Sequence, residues 1–421
     1  MDIGVISLII LVVVIMLGFV RKLNVGILAI AAAAILGSVT GQFTGKEIIS
    51  GFSSSLFMTL LGVTLFFGVV QENGCLELIM KRIIGLTGKQ IWAVPIMVYL
   101  VGFIIAAIGP GCVPAMAFSA AIAIPLAHGS GYNPLMLLII GNLGTYAGRL
   151  SPITPEGVLI NALLSEQDIY ISPLKLILGP FVGTVVLMIV VFIGFKGYKI
   201  KPSEATGAKQ DIQNLDSKQW IVLSSVLVMI LLVIIGGIDV GLSSFIVSSI
   251  LLVLGLADEK KAFNRVPWST LLLVCGVGVL MNLVISTGGI DMLANSMSSI
   301  MAPWSASGII GVVSAVMSWF SSAIGVVWPT LMPTLGKIAE NIGGDVQVGG
   351  MVSTVALFAS VAGISPVSTG GAIIMGACAG DPEFSKKYPS DKNFFTLLLW
   401  AFGTIGILAI MAFIGVFNWL A

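Results

Sequence analysis

The stretch Ser151-Pro-Ile-Thr-Pro-Glu-Gly157 follows Arg149 and interrupts a long apolar segment. Proline has no backbone N–H and clashes with the preceding turn, so no regular helix runs through Pro152 and Pro155. A second stretch, SPVSTGG at 365–371, repeats the design 214 positions later. Where the unpaired backbone groups of two such breaks go decides the fold.

The surroundings of the breaks set the class. Of 421 residues, 57% are hydrophobic and 9% charged, with a mean hydropathy of +1.10. Soluble domains carry about 25% charged residues, so this chain reads as an integral membrane protein. A net charge of +1 without basic runs argues against nucleic acid as a partner. The four cysteines form no C-x-x-C pair, so neither a metal site nor a disulfide framework is indicated. The apolar start has its positive residues, Arg21 and Lys22, after it rather than before it, which reads as a first membrane helix and not a cleaved signal. GLTGKQ at 85–90 lacks the spacing of a phosphate-binding loop, so ATP hydrolysis is not expected. Trp220, Trp268, Trp304 and Trp419 fall near segment ends, as interfacial anchors do.

Crossing roughly 30 Å of hydrocarbon takes about 20 apolar residues in a helix. Segments of that kind fall near 4–20, 24–40, 52–71, 172–195, 219–237, 240–256, 267–286 and 393–418. Two longer apolar blocks lie between them. The first, 91–165, is interrupted at Gly109-Pro110-Gly111, at 128–134 and at 151–155. The second, 307–380, is interrupted at 321–325, at 340–345 and at 365–369. Adding 214 carries Ser55, Gly62, Gly74 and Gly111 onto Ser269, Gly276, Gly288 and Gly325, and Ser151, Pro152 and Gly157 onto Ser365, Pro366 and Gly371. Asn24-Val25-Gly26 matches Asp239-Val240-Gly241 with a shift of one.

The expected architecture is therefore all-α and polytopic: two repeats of five transmembrane helices, one of them broken, plus a re-entrant hairpin. The first repeat, 1–197, holds scaffold helices 4–90, hairpin 91–128, broken helix 134–165 and helix 172–195. A cytoplasmic linker, 198–217, follows. The second repeat, 218–421, holds scaffold helices 219–300, hairpin 307–340, broken helix 346–380 and helix 393–418. With both termini outside, 16 of the 20 Lys and Arg residues fall inside, Lys46, Lys175 and Lys337 fall outside, and Arg149 sits at the break. That asymmetry follows the positive-inside rule. Five crossings is an odd number, so the second repeat is inverted, and inverted repeats with broken helices mark secondary transporters.

Backbone left unpaired at membrane depth is tolerated only where it lines a protein-enclosed cavity. Helix N-termini there favour an anion, and carbonyl ends favour a small cation. The tips at 109–112 and 321–325 and the breaks at 151–155 and 365–369 are expected to converge. Ser151, Thr154, Ser321, Ser322, Ser365, Ser368 and Thr369 supply hydroxyls there. A guanidinium at this depth costs at least about 2.5 kcal/mol unless paired, and its fork matches a carboxylate. Arg149 thus either binds a substrate carboxylate or pairs permanently with Glu156, which otherwise carries a proton or coordinates a cation. Asn142, Thr145 and Tyr146 either line the cavity or bond between helices. His128, the only histidine, is expected on a solvent-facing inside turn.

This arrangement resembles the ion transporter superfamily, which includes the divalent-anion/sodium symporters. LNVGILAIAAAAILG (23–37) and IAAIGPGCVPAMAFSAAIAIPLA (105–127) are similar to the malonate and C4-dicarboxylate carrier (MatC-like) family. The resemblance implies tips and breaks that hold substrate carboxylates and, in symporters, sodium. It also implies an elevator motion against a scaffold that forms homodimers. Neither tip carries the superfamily's asparagine; Cys112 follows GPG, and Arg149 in place of a cation favours exchange.

The function expected is secondary transport of a small carboxylate across a bacterial cytoplasmic membrane. Malonate and succinate are the leading substrates; a monocarboxylate, a sugar acid or another oxyanion is the alternative. A further alternative is the membrane subunit of a multi-component anion transporter or decarboxylase sodium pump. No enzymatic activity and no cofactor is expected; sodium or a proton is the candidate coupling ion. The candidate substrate groups are Arg149, Ser151, Thr154, Ser322, Ser365, Ser368 and Thr369, with Gly109, Pro110 and Gly111 shaping the first tip. Ser321, Ser322 and Glu156 are the candidate cation ligands.

Overall fold

The computed structural model describes residues 2–75, 78, 91–200, 215–387 and 389–420. Lys81, Arg82, Lys89, Lys201, Lys209, the GLTGKQ segment and most of the linker lie outside the described residues. The described chain is helical and contains no strand. Eight of its helices are long and apolar enough to cross a bilayer, or up to 9 if the bent pair Ala306–Phe320 + Ala323–Ile342 is one span.

Three long helices open the chain: α1 (Ile3–Arg21), α2 (Val25–Thr40) and, after a short helix at Gly45–Ser50, α3 (Ser54–Glu72). The first hairpin is α4 (Val94–Ile108) and α5 (Cys112–Ser130). A broken helix, α6 (Pro134–Gly148) and α7 (Pro155–Ser165), precedes α8 (Pro173–Gly194). Beyond the linker come α9 (Ser217–Ile234), α10 (Val240–Val253), the short α11 (Glu259–Asn264), α12 (Trp268–Ser286) and α13 (Gly289–Ser298). The second hairpin is α14 (Ala306–Phe320) and α15 (Ala323–Ile342), bent by 119°. The second broken helix is α16 (Val348–Val361) and α17 (Thr369–Gly380), and α18 (Ser390–Phe413) follows.

Two expected spans are shorter than a bilayer. α2 has 16 residues and α10 has 14. At about 1.5 Å per residue these reach only about 24 and 21 Å. Gly41 (φ 63°) ends the first in a left-handed turn, and Gly255 (φ 66°) turns the chain just beyond the second. Their starts are built alike: the Asn24 side chain accepts from the Gly26 N–H at 2.9 Å, and that of Asp239 from the Gly241 N–H at 2.8 Å.

These short helices cross the opposite half of the chain. α2 packs on α12, and α3 packs on α10. At both crossings glycine lets backbone meet backbone. A methyl group at Gly26 would lie 2.3 Å from the Leu272 carbonyl oxygen, and one at Gly62 would lie 2.4 Å from that of Gly241. Gly276 and Gly241 face these positions in turn, so the two crossings exchange under the sequence offset. With no hydrophobic force between helices in lipid, such close packing holds the scaffold together. Gly62→Val is expected to separate α3 from α10 at a cost of at least about 1–3 kcal/mol. A several-fold loss of monodisperse protein in fluorescence-detected size exclusion checks this.

Each hairpin's first arm packs on the broken helix that follows it, α4 on α6 and α14 on α16, and α8 also packs on both α6 and α16. All fifteen residues of α6 are buried. An apolar helix buried on every side is a core element, and here it carries the break into the molecule's centre. The four tryptophans expected at interfaces are exposed.

Candidate functional site

The two breaks are capped by the same local chemistry. Thr154 begins α7: its hydroxyl lies within donating distance of the Arg149 and Ser151 carbonyls, at 2.5 and 2.7 Å, and accepts from the Gly157 N–H at 2.9 Å. Ser368 begins α17 in the same way, meeting the Gly363 and Ser365 carbonyls at 2.5 and 2.7 Å and accepting from the Gly371 N–H at 3.4 Å. Each hydroxyl has one proton, and here it serves the turn.

The hairpin tips differ. In the first, Gly109 (φ 124°) and Gly111 (φ 88°) take conformations that side chains disfavour. A methyl group at Gly109 would also lie 2.2 Å from the Phe67 ring of α3, so the tip is seated directly on that helix. In the second, Ser321 donates to the Met317 carbonyl at 2.7 Å, and Ser322 accepts from the Gly325 N–H at 3.2 Å. The second arm then opens with a π turn, Ala323–Val327, a departure common at functional sites.

The four interruptions surround one cavity of about 370 Å³. Pro110, Gly111, Arg149, Glu156, Ser321, Ser322, Ser368 and Thr369 line it. Ser151, Thr154, Ser365 and Gly109 do not reach its wall; Thr154 is fully buried in its cap and Gly109 is held against Phe67. The wall also includes Thr64, Gln71, Tyr146, Arg265, Thr270 and Ser360, which the sequence reading either left open or did not mark as a site. Ser360 carries no helix-breaking signal, and Arg265 shows there only as an inside charge.

Arg149 and Glu156 are 6% and 4% exposed. Arg149 Nη2 lies 3.4 Å from Glu156 Oε1, and Nη1 donates to the Ser360 hydroxyl at 3.4 Å. Its guanidinium stands 4.8 Å from the centroid of Trp328, a cation–π contact. Glu156 Oε1 also accepts from the Cys112 N–H at 2.8 Å, so this carboxylate caps the N-terminus of α5 and holds the first tip. Three polar atoms on the wall have no hydrogen-bond partner: Arg149 Nε, Glu156 Oε2 and the Tyr146 hydroxyl. Buried polar atoms left so are costly, and all three belong to residues of the one cavity wall. Under the 214 offset Arg149 and Glu156 fall on Gly363 and Gly370. A methyl group on either glycine would lie under 3 Å from the Tyr146 hydroxyl, so the second break makes room for that ring where the first carries charge.

Asn142 and Thr145 make internal bonds, Asn142 to the Gly370 carbonyl at 3.5 Å and Thr145 to the Asn142 carbonyl at 2.8 Å. His128 lies in the last turn of α5, partly exposed, with Nε2 2.9 Å from Asp381 Oδ2 at the end of α17.

A family model described as "CitMHS: Citrate transporter" matches residues 8–363. Among solved structures, the crystal structure of the YdaH transporter from Alcanivorax borkumensis is similar, with a TM-score of 0.61 over 96% of this chain and 99% of that chain. The two sequences are 12% identical, so the likeness is one of fold. No curated protein matches this chain.

Proposed function

The chain belongs to the citrate transporter family and is a multi-span membrane transporter, not an enzyme, and from that premise we propose that its central cavity carries a small dicarboxylate. Malonate and succinate are the leading candidates, and the family's description adds a tricarboxylate, citrate. The observation that carries this reading is the trio of unpartnered polar atoms on Arg149, Glu156 and Tyr146, gathered where four backbone interruptions meet. A volume of about 370 Å³ is at the lower end of small-molecule pockets.

The chemistry is an exchange of partners. Glu156 neutralises Arg149 across 3.4 Å. An incoming carboxylate takes the guanidinium fork, engages the free Nε and the Tyr146 hydroxyl, and meets the N-terminus of α17 at Thr369 and Gly370. Glu156 keeps its bond to the Cys112 N–H, so the first tip stays seated. Transport is then an elevator motion in which hairpins and broken helices move past the glycine-crossed scaffold. It is driven by a sodium or proton gradient or by exchange, with Ser321, Ser322 and Glu156 as the groups available to a cation. The scaffold forms a homodimer in a bacterial cytoplasmic membrane, with both termini outside. Ser151, Thr154 and Ser365 serve by shaping the breaks.

Uptake of labelled malonate, succinate and citrate by the purified chain in liposomes tests this. Sodium, proton and counter-substrate gradients are imposed separately. Accumulation under one of them is expected; a chain inert under all three until a second protein is added rejects the stand-alone carrier.

A further inference from the structure

We propose that Arg265 forms a second carboxylate subsite at the mouth of the cavity, so that the carried anion is at least a dianion. This rests on the carrier reading above and names its substrate class. Arg149 and Arg265 line one cavity but differ in access: the Arg149 side chain is 7% exposed and that of Arg265 is 42% exposed. Arg265 is thus the arginine of this wall that solvent reaches. Thr64 and Gln71 from α3 and Thr270 from α12 add polar residues to a wall that is otherwise largely apolar.

Charge at the two ends is unequal. At the deep end one cation meets one carboxylate. At the mouth, among the described residues, two cations share one carboxylate: Lys261 Nζ lies 3.1 Å from Glu72 Oε1, and Arg265 Nη2 lies 3.3 Å from Glu72 Oε2. A carboxylate on Arg149 displaces Glu156 from the fork and adds charge only at the deep end, leaving the mouth with its surplus cation among the described residues. A second carboxylate on the same molecule neutralises it, displacing one arm of Glu72 from Arg265. The planar fork of Arg265 suits that exchange better than the more exposed Lys261.

Arg265 belongs to the scaffold side. It follows α11, which packs on α3 closely enough that a methyl group at Gly68 would lie 2.7 Å from the Ala262 carbonyl oxygen. When the breaks move, Arg265 stays behind, so the subsite serves substrate from one membrane face only.

The test compares succinate with monomethyl succinate, which keeps the carbon chain and loses one charge. Both are offered in turn from each face of oriented proteoliposomes. Arg265→Gln is expected to raise KM for succinate roughly tenfold from the face bearing Arg265, as loss of a charge-assisted contact does, leaving kcat and the ester's KM unchanged. Arg265→Lys, which keeps the charge, is expected to recover part of the discrimination and guards against a folding defect in the glutamine variant. Equal weakening of both anions, an equal effect from both faces, or no change with either overturns the subsite. Loss of the carrier reading is distinguishable, because it appears as unmutated protein that moves neither anion under any of the three gradients.

Discussion

Arg149→Ala is expected to abolish uptake of dicarboxylates, by at least about 100-fold, in protein that still elutes as a single folded species. The substitution removes the fork, the Trp328 contact and the Nε donor together. It also leaves Glu156 with a buried charge whose remaining bond is to the Cys112 N–H, and removing one member of a buried pair typically costs about 3–5 kcal/mol. Arg149→Ala combined with Glu156→Gln relieves that penalty and separates the two effects. If transport stays lost while stability returns, the guanidinium acts on substrate. If the double variant transports normally, Arg149 is a structural partner of Glu156 and the site must be read differently. Arg149→Lys keeps the charge but not the planar geometry, and is expected to retain only a small fraction of the activity.

Glu156→Gln should split transport into two behaviours. Glutamine still offers an oxygen to the Cys112 N–H, so the tip remains capped. It no longer neutralises Arg149, so substrate binds with a KM lowered about tenfold, while an empty carrier must move with an unpaired guanidinium. Loaded carriers cross both ways and empty ones do not. Counterflow of labelled substrate is therefore expected to persist near the wild-type rate, while net uptake falls by at least about 100-fold. Net uptake at the wild-type rate by this variant would remove Glu156 from the return step.

Much of the backbone design was legible in the residues themselves. Proline and glycine act locally, so the interruptions at 109–111, 151–155, 321–325 and 365–369 can be placed without knowing any neighbour, and all four meet at one cavity. Hydroxyls were harder. Thr154 and Ser368 read alike as ligands or as caps, because only their distances to the carbonyls behind them show the proton engaged. Arg149 and Glu156 are seven residues apart across a break, where helical spacing rules no longer say who faces whom. Arg265 was visible as a marker of sidedness and nothing more, since its place on the cavity depends on how α11 seats against α3. The end of α2 was legible, since the expected 24–40 meets Val25–Thr40, whereas α10 stops at Val253, short of the expected 256, because Leu256 and Ala257 run past Gly255.

The glycine crossings have a consequence for how this protein is made. α2 ends at Thr40 but packs on α12, which begins at Trp268, and α3 waits likewise for α10. At roughly 5–20 residues per second of synthesis, α2 spends about 10–45 s in or near the insertion machinery before its partner emerges. During that time its glycine face is open to any other helix in the membrane. Biogenesis, rather than the finished fold, is thus the stage at which substitutions at Gly26 or Gly62 do their first damage, and cells would register it as degradation of newly made chain.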